Sequence, residues 1–408
     1  MPFATRIKFS AMMFLQYLMM PVWFLALGKY MSGLEGSGPW MFWTFNTMAF
    51  GMMASPVICM FADKFLNSER MLLICDLVST AGLIGAAYTK SPGLVFAFLL
   101  VTMLFYMPTW SITAAVVMAH STPAAFPQIR VFGSMGWAAA AVFGLVAKHV
   151  FDAPGFESTP AIFLCGAAVS FVSAILTFFL PPTVPKGRDE PMSVSNALGL
   201  RAFVLFKRPS FAVFAVLLFF SMLPFQWYNS WTVPYLHLRG FELGVSMMSW
   251  GQVAEMAFLL LIPVILRKAG YKWALVLGVV LLAIRYGAFY MGATTSGIAG
   301  ECGDVVGILM HGLVFGLVIV GSQMYVAEVA PDEIRNQAQG LAMLISSGVG
   351  VLASNYLFGK VVPLTSPTLP LFARGYLTAF CISAVVALLM AILLRPEGST
   401  AGQTKGNS

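Results

Sequence analysis

The sequence predicts an all-α membrane protein of twelve transmembrane helices in two six-helix bundles. Three observations predict it. The chain of 408 residues is 59% hydrophobic and only 10% charged, where a soluble domain carries roughly 25% charged residues, and its mean hydropathy is +0.85. Apolar runs of about 20 residues, the length that crosses a bilayer, recur from one end to the other. The one long polar interruption, 182–208, falls between the sixth and seventh of these runs.

Spans are numbered in chain order. Span 1 covers about 9–31; it carries internal polar residues and no small-residue cleavage site follows it, which predicts a span and not a removable signal peptide. Spans 2 to 6 cover about 38–62, 71–90, 93–119, 125–150 and 160–181, and the bundle they complete is assigned to 1–181. The linker 182–208, "PTVPKGRDEPMSVSNALGLRAFVLFKR", is Pro-rich and charged. Within it, "SNALGLRAFVLF" has the pattern of a short amphipathic surface helix. Spans 7 to 12 cover about 209–236, 243–266, 272–293, 303–328, 336–361 and 371–394, giving a second bundle over 209–395. The polar tail, 396–408, is expected to be disordered. Two six-helix halves joined by a linker are the plan of the major facilitator fold, in which solute binds between the halves near mid-membrane.

Loop charges set the orientation. Arg6 and Lys8 precede span 1, and Lys64, Arg70, Lys186, Arg188, Arg201, Lys207, Arg208, Arg267, Lys268, Lys272 and Arg335 fall in the loops after even-numbered spans. The opposite side receives only Lys29, Lys90, Lys148, Arg239, Lys360 and Arg374. That bias predicts cytoplasmic termini. The net charge of +7 is a topology signal and does not imply nucleic acid as a partner. Five scattered cysteines without metal-ligand spacing read as small buried hydrophobes.

Polar side chains inside spans face the bundle interior or a cavity, so their spacing is informative. Gln252 and Glu255 lie three apart, as do Gln226 and Asn229, which puts each pair on one helix face. Arg130, Ser134 and Trp137 form a third stripe at i, i+4 and i+7. Amides suit hydroxyls and heterocycle edges, and aromatic faces suit planar rings, so the stripes predict a neutral, polar, ring-bearing solute. Each residue has a second reading. Glu255 serves solute or proton, or pairs with Arg130 to hold two helices together. Gln226 and Asn229 bind solute or join helices by hydrogen bonds. Trp137 and Trp227 pack by default, with solute contact as the alternative. Arg285 is expected to pair with an acid or with carbonyls. Asp76, about one turn into span 3, reads as a helix-neighbour or interface residue. His311 titrates near pH 6.5 when unperturbed, and serves proton exchange or acts as a neutral hydrogen-bonding group.

These stripes also resemble a known family, the nucleoside:proton symporters of the major facilitator superfamily. "FLQYLMMPVW" is similar to that family's first helix, "ADKFL" to its second-to-third loop and "YMPT" to its fourth helix. "FPQIRVFGSMGW" resembles its fifth-helix signature, "LGLRAFVLFK" its linker, and "QVAEMAFLLLIPVILRKAGYK" its eighth helix and following loop. "EVAPDEIRNQAQG" resembles a loop shared by many major facilitator members. The resemblance runs over nearly the whole chain. It implies proton-coupled nucleoside import by alternating access. It implies solute contact by Arg130, Ser134, Trp137, Gln226, Asn229, Gln252, Glu255, His311 and Phe315, and spans 5 and 8 facing each other across the halves. Proton-coupling candidates are Glu255, His311 and Asp76. The family carries phenylalanine at Trp137, tyrosine at His311 and an aspartate where this chain has Gly316. Those departures keep open a second reading: the same machine moving another ring-bearing solute, such as a sugar or glycoside.

Other classes fit less well. A drug/proton exporter would carry a Gly-Pro-rich motif in its fifth helix, and "VFGSMGWAAAAVFG" has no proline. No Walker loop, HExxH or GxSxG appears, so an ATP-driven pump and an enzyme are not expected. A non-transporting receptor would need a partner surface larger than the short linker. The expected partners are solute, protons and the lipid bilayer of a bacterial inner membrane. No cofactor or metal ion is expected, and the chain is expected to act as a monomer.

Overall fold

The computed structural model describes residues 2–121, 125–184, 200–259, 261–331, 334–363 and 365–395. Among them the secondary structure is helical throughout, and nine helices are long and apolar enough to cross a membrane. Thr47–Phe65, Gly244–Phe258 and the shorter apolar helix Ala161–Thr177 complete a set consistent with twelve passes.

Helix ends depart from the apolar runs where polar residues still fit a helix. The first helix begins at Phe3 and carries Arg6 and Lys8 on its opening turns. Hydrogen bonding does not stop where a bilayer would, so a helix outruns its apolar stretch. Span 10 begins at Gly297, six residues before its predicted start. Its early Asp304 is neutralised by Arg239 (Nε to Oδ2, 2.9 Å) and by the Tyr235 hydroxyl, which donates to Oδ1 at 2.5 Å. Spans 8 and 9 are parted by Gly270, at φ 70° and ψ 168°, inside the continuous stretch Ile262–Thr294. A side chain is rarely tolerated at that φ. The predicted surface helix of the linker is instead a tighter 3₁₀ helix over Leu200–Lys207, anchored by buried Ala202 and Leu205. The rest of that segment, 185–199, and the tail 396–408 lie outside the described residues.

Helices preceding the linker pack mostly on one another. Phe3–Met19 lies on Phe126–Ala139 and Ala161–Thr177, while Pro92–His120 lies on Thr47–Phe65 and Ser68–Ala87. Helices following it do likewise: Leu369–Leu393 packs on Pro209–Leu238 and Ile262–Thr294. Trp227 is fully buried in this second group, stacked on Phe358 at 4.3 Å and on Tyr286 at 5.7 Å. It is a packing residue.

Several contacts between the two groups lie at the end bearing the charge-poor loops. Gly28 of span 1 lies so close to span 7 that a Cβ there would meet Pro234 Cγ at 2.8 Å and the Ser230 carbonyl at 3.2 Å. Buried Asn355 of span 11 donates its Nδ2 to Asn46 Oδ1 of span 2 at 3.0 Å. Glu157, from the loop after span 5 and almost wholly buried, accepts the backbone N–H groups of Gly244 (3.1 Å) and Val245 (2.8 Å) that open span 8. It also bonds His237 Nε2 at 2.8 Å. A carboxylate there satisfies orphan donors and complements the helix dipole. An ion pair between Lys148 and Glu242 adds a surface contact nearby, and its hydrogen bond pulls the Glu242 carboxyl below its ordinary range.

Candidate solute cavity between spans 5, 7, 8 and 10

Span 8 is polar on one face and apolar on the other. Gln252 and Glu255 are buried, at 9% and 4% exposure, whereas Trp250 and Val253 are exposed at 61% and 43%. In a membrane that arrangement turns the carboxylate inward and the indole toward lipid. Span 5 follows the same rule: Val131 and Met135 are exposed, while Arg130, Ser134 and Trp137 are partly covered.

Glu255 stands where three spans meet. Ser134 of span 5 donates its hydroxyl to Glu255 Oε1 at 3.4 Å, and His311 Nε2 of span 10 lies 3.6 Å from Oε2. Glycines allow that approach. A Cβ on Gly312 would meet the Glu255 backbone N at 2.4 Å, and one on Gly251 would meet the Ile308 carbonyl at 2.8 Å. Spans 8 and 10 therefore touch backbone to backbone, which small residues permit in membrane bundles.

His311 is held from behind. Arg285 Nη2 lies 3.4 Å from its Nδ1, and the ring stacks on Tyr228 at 5.1 Å. A guanidinium only donates, so Nδ1 must accept. That tautomer assignment leaves the N–H on Nε2, facing the carboxylate. Arg285 itself is fully buried; its Nε donates to the Gly307 carbonyl at 3.0 Å and its guanidinium carbon sits 3.4 Å from the Tyr228 ring centroid. Its partners are thus a carbonyl, an imidazole and ring faces. Phe315 lies one turn beyond His311, with ring centroids 6.0 Å apart.

Other predicted residues are placed differently. Arg130 stacks on Tyr17, 4.1 Å from the ring centroid, and forms no ion pair with Glu255 within 4.0 Å. Its charge acts on Glu255 only across space. Gln226 Nε2 donates to the Ser346 carbonyl at 3.2 Å, and Asn229 Nδ2 approaches Gln226 Oε1 at 3.5 Å. Ser346 lies in a π-helical segment, Leu344–Val349, whose wider turn exposes backbone groups to side-chain partners. Trp137 is half-buried against apolar neighbours. Asp76 belongs to a separate group in spans 1, 3 and 6. Gln16 Nε2 donates to both of its carboxylate oxygens, at 2.7 and 2.9 Å, and lies 3.0 Å from Ser173 Oγ. Gly316 abuts span 8: a Cβ there would meet Ile262 Cδ1 at 2.6 Å.

Tyr17, Tyr228, Glu157 and the Asn46–Asn355 pair escaped the sequence reading. The tyrosines are ordinary in an aromatic-rich chain, Glu157 lies outside the spans, and neither asparagine has another amide three or four residues away. Gln16 did carry a signal, as the amide within "FLQYLMM". Among the described residues no three His, Cys, Asp or Glu come together as a metal site.

The model of the family described as nucleoside H+ symporter matches residues 3–396. The chain belongs to that family. As a nucleoside H+ symporter it is a multi-pass membrane transporter, not an enzyme, and its activity is proton-coupled nucleoside import. YegT of Escherichia coli (strain K12) is 30% identical over 361 residues, spanning 88% of this chain and 84% of that protein. The xanthosine permease of the same organism is 28% identical over 411 residues, spanning 96% and 95%. The crystal structure of nucleoside transporter NupG superposes with a TM-score of 0.84 at 23% identity, covering 96% of this chain and all of that one. A D-xylose-proton symporter superposes with a TM-score of 0.76 at 12% identity, covering 97% and 98%. These likenesses establish the major facilitator fold for this nucleoside H+ symporter.

Proposed function

We propose that this symporter carries its nucleoside between spans 5, 7, 8 and 10 by alternating access, with Glu255 as the group that couples solute to proton. Residues 1–181 and 209–395 act as the two rocking units, joined by 182–208. Both termini face the cytoplasm of a bacterial inner membrane, and the monomer is the working unit. In this reading the base and ribose meet Ser134, Trp137, Gln252, Glu255, His311 and Phe315. Asn229 and Gln226 bound the cavity from span 7, and Arg130 supplies positive charge from the facing half. Asp76 is a reserve coupling candidate.

One observation carries the reading: a buried carboxylate is shared between a hydroxyl of the first helix group and an imidazole of the second. Adding a proton to Glu255 removes its charge and changes both contacts, so protonation and the relative position of the halves become linked. The Ser134 contact crosses the seam and breaks when the halves part.

Glu255→Gln keeps the shape and cannot lose a proton. In proteoliposomes it should bind uridine and exchange it in counterflow, yet fail to accumulate it under an imposed proton gradient. Accumulation equal to the parent protein would remove Glu255 from the coupling role, and Asp76 and His311 would be tested next.

A further inference from the structure

The charge-poor end holds a cavity of about 310 Å³, distinct from the surroundings of Glu255. We propose that it is a second solute site, for an uncharged nucleobase-like heterocycle, and that its occupancy holds that end of the transporter shut. The inference rests on the reading above for its orientation and for the solute class.

Its walls come from both helix groups. Gly38–Phe45 of span 2 supplies Phe42 and Phe45; span 7 supplies Trp231, and Gly350–Val361 supplies Asn355, Tyr356 and Lys360. Phe45 and Trp231 stack across the seam at 5.2 Å and 24°. Phe42 and Tyr356 meet edge to face across it, at 6.3 Å and 83°. Aromatic walls of this kind favour a flat ring system. The volume sits at the low end of the roughly 300–1,000 Å³ of ligand pockets, which suits one small solute.

A polar group within the wall is unspent. Asn355 uses its Nδ2 on Asn46 Oδ1, while its buried Oδ1 has no hydrogen-bond partner. Unsatisfied buried acceptors are rare and costly. Turned toward the cavity, that oxygen would accept the N–H of a heterocycle or a ribose hydroxyl. Lys360, with Nζ 5.5 Å from the Tyr356 ring centroid, adds a donor beside the opening and disfavours cationic ligands.

The seam gives the site its consequence. Four rings from two helix groups line the cavity only while those groups meet, and opening that end takes it apart. A ligand that binds only the closed arrangement favours it by its full differential affinity. Solute in this cavity therefore opposes the return to the outward-open state, and uptake should fall at high external concentration.

The test uses the full-length protein. Calorimetry with uridine and adenosine should give two binding events per chain, one tight and one weak. Tyr356 is 61% exposed, so Tyr356→Ala should fold normally; it should weaken the second event at least tenfold and abolish inhibition of uptake at high uridine. Uptake at low uridine should stay at the parent level. Lys360→Ala serves as a second surface variant and should shift the weak event in the same direction. Uracil and adenine separate the sources: competition by free bases for the weak event means the base is read, and competition by nucleosides alone means the ribose hydroxyls are. A single binding event in the parent protein, or a weak event that both variants leave intact, overturns the site. If the parent protein accumulates no nucleoside, the transport reading fails, and the two binding events with bases still decide the cavity.

Discussion

Glu255 is tolerable inside an apolar run because its environment is built for it. A hydroxyl, an imidazole and a nearby guanidinium surround it, and the same neighbours respond when its charge changes. Arg285 has a quieter duty, fixing which nitrogen of His311 faces the carboxylate. The span 7 amides divide in a testable way. Gln226 is committed to the Ser346 carbonyl, whereas Asn229 keeps only a long contact to Gln226. Asn229→Ala should weaken uridine binding by about 1–3 kcal/mol, the cost of losing a solute hydrogen bond, with thermal stability near that of the parent. Gln226→Ala should lower the unfolding temperature as well, because it removes a buried hydrogen bond between spans 7 and 11. Equal, parent-like binding by both variants in an equilibrium assay would remove span 7 from the cavity.

The contact between spans 8 and 10 depends on glycine. Gly251 and Gly312 let two backbones touch, and that closeness brings His311 to Glu255. Gly316 extends the same seam, which changes what its replacement would do. Restoring the family's tyrosine and aspartate with His311→Tyr and Gly316→Asp should increase nucleoside transport only if Ile262 yields, since its Cδ1 occupies the place of the new Cβ. Overpacking of that kind typically costs about 1–3 kcal/mol. The double variant should therefore lose stability, and adding Ile262→Ala should recover it and raise uridine uptake relative to xylose. An unchanged selectivity profile in the triple variant would show that these positions do not set it.

Across the whole transporter, the closed end is held by specific contacts and not by apolar area alone. Glu157 links the loop after span 5 to the start of span 8 and to His237. Glu157→Gln removes the charge that faces the helix N-terminus, an interaction worth up to ~2 kcal/mol when partly buried. A cysteine placed at Ser134 should then react several-fold faster with an impermeant thiol reagent added from outside. No change in that rate would mean that Glu157 does not hold the closed state. Orientation has its own test. Lys90 and Lys268 are both exposed, and they follow an odd- and an even-numbered span, an order that predicts opposite sides of the membrane. Cysteines there should label from the outside and the cytoplasm, respectively, and labelling of both from one side would overturn cytoplasmic termini.

Fold class and the inward faces of spans 5 and 8 were readable in the chain because each is a local consequence of the bilayer. Run length follows from membrane thickness, loop charge from orientation, and i, i+3 or i+4 spacing from helical pitch. None of these rules says which helix faces which. That Glu255 meets Ser134 and His311 while Arg130 turns to Tyr17, that Gln226 is taken by a π-helical carbonyl, and that Trp227 is core are outcomes of packing between residues far apart in the chain, 121 positions for Ser134 and Glu255. Packing also placed Asp76 with Gln16 and gave Glu157, a loop residue with no motif around it, a helix to cap. Helix pitch can be counted along one segment, but partnership is decided by how glycine approaches and bulky rings let the segments fit together.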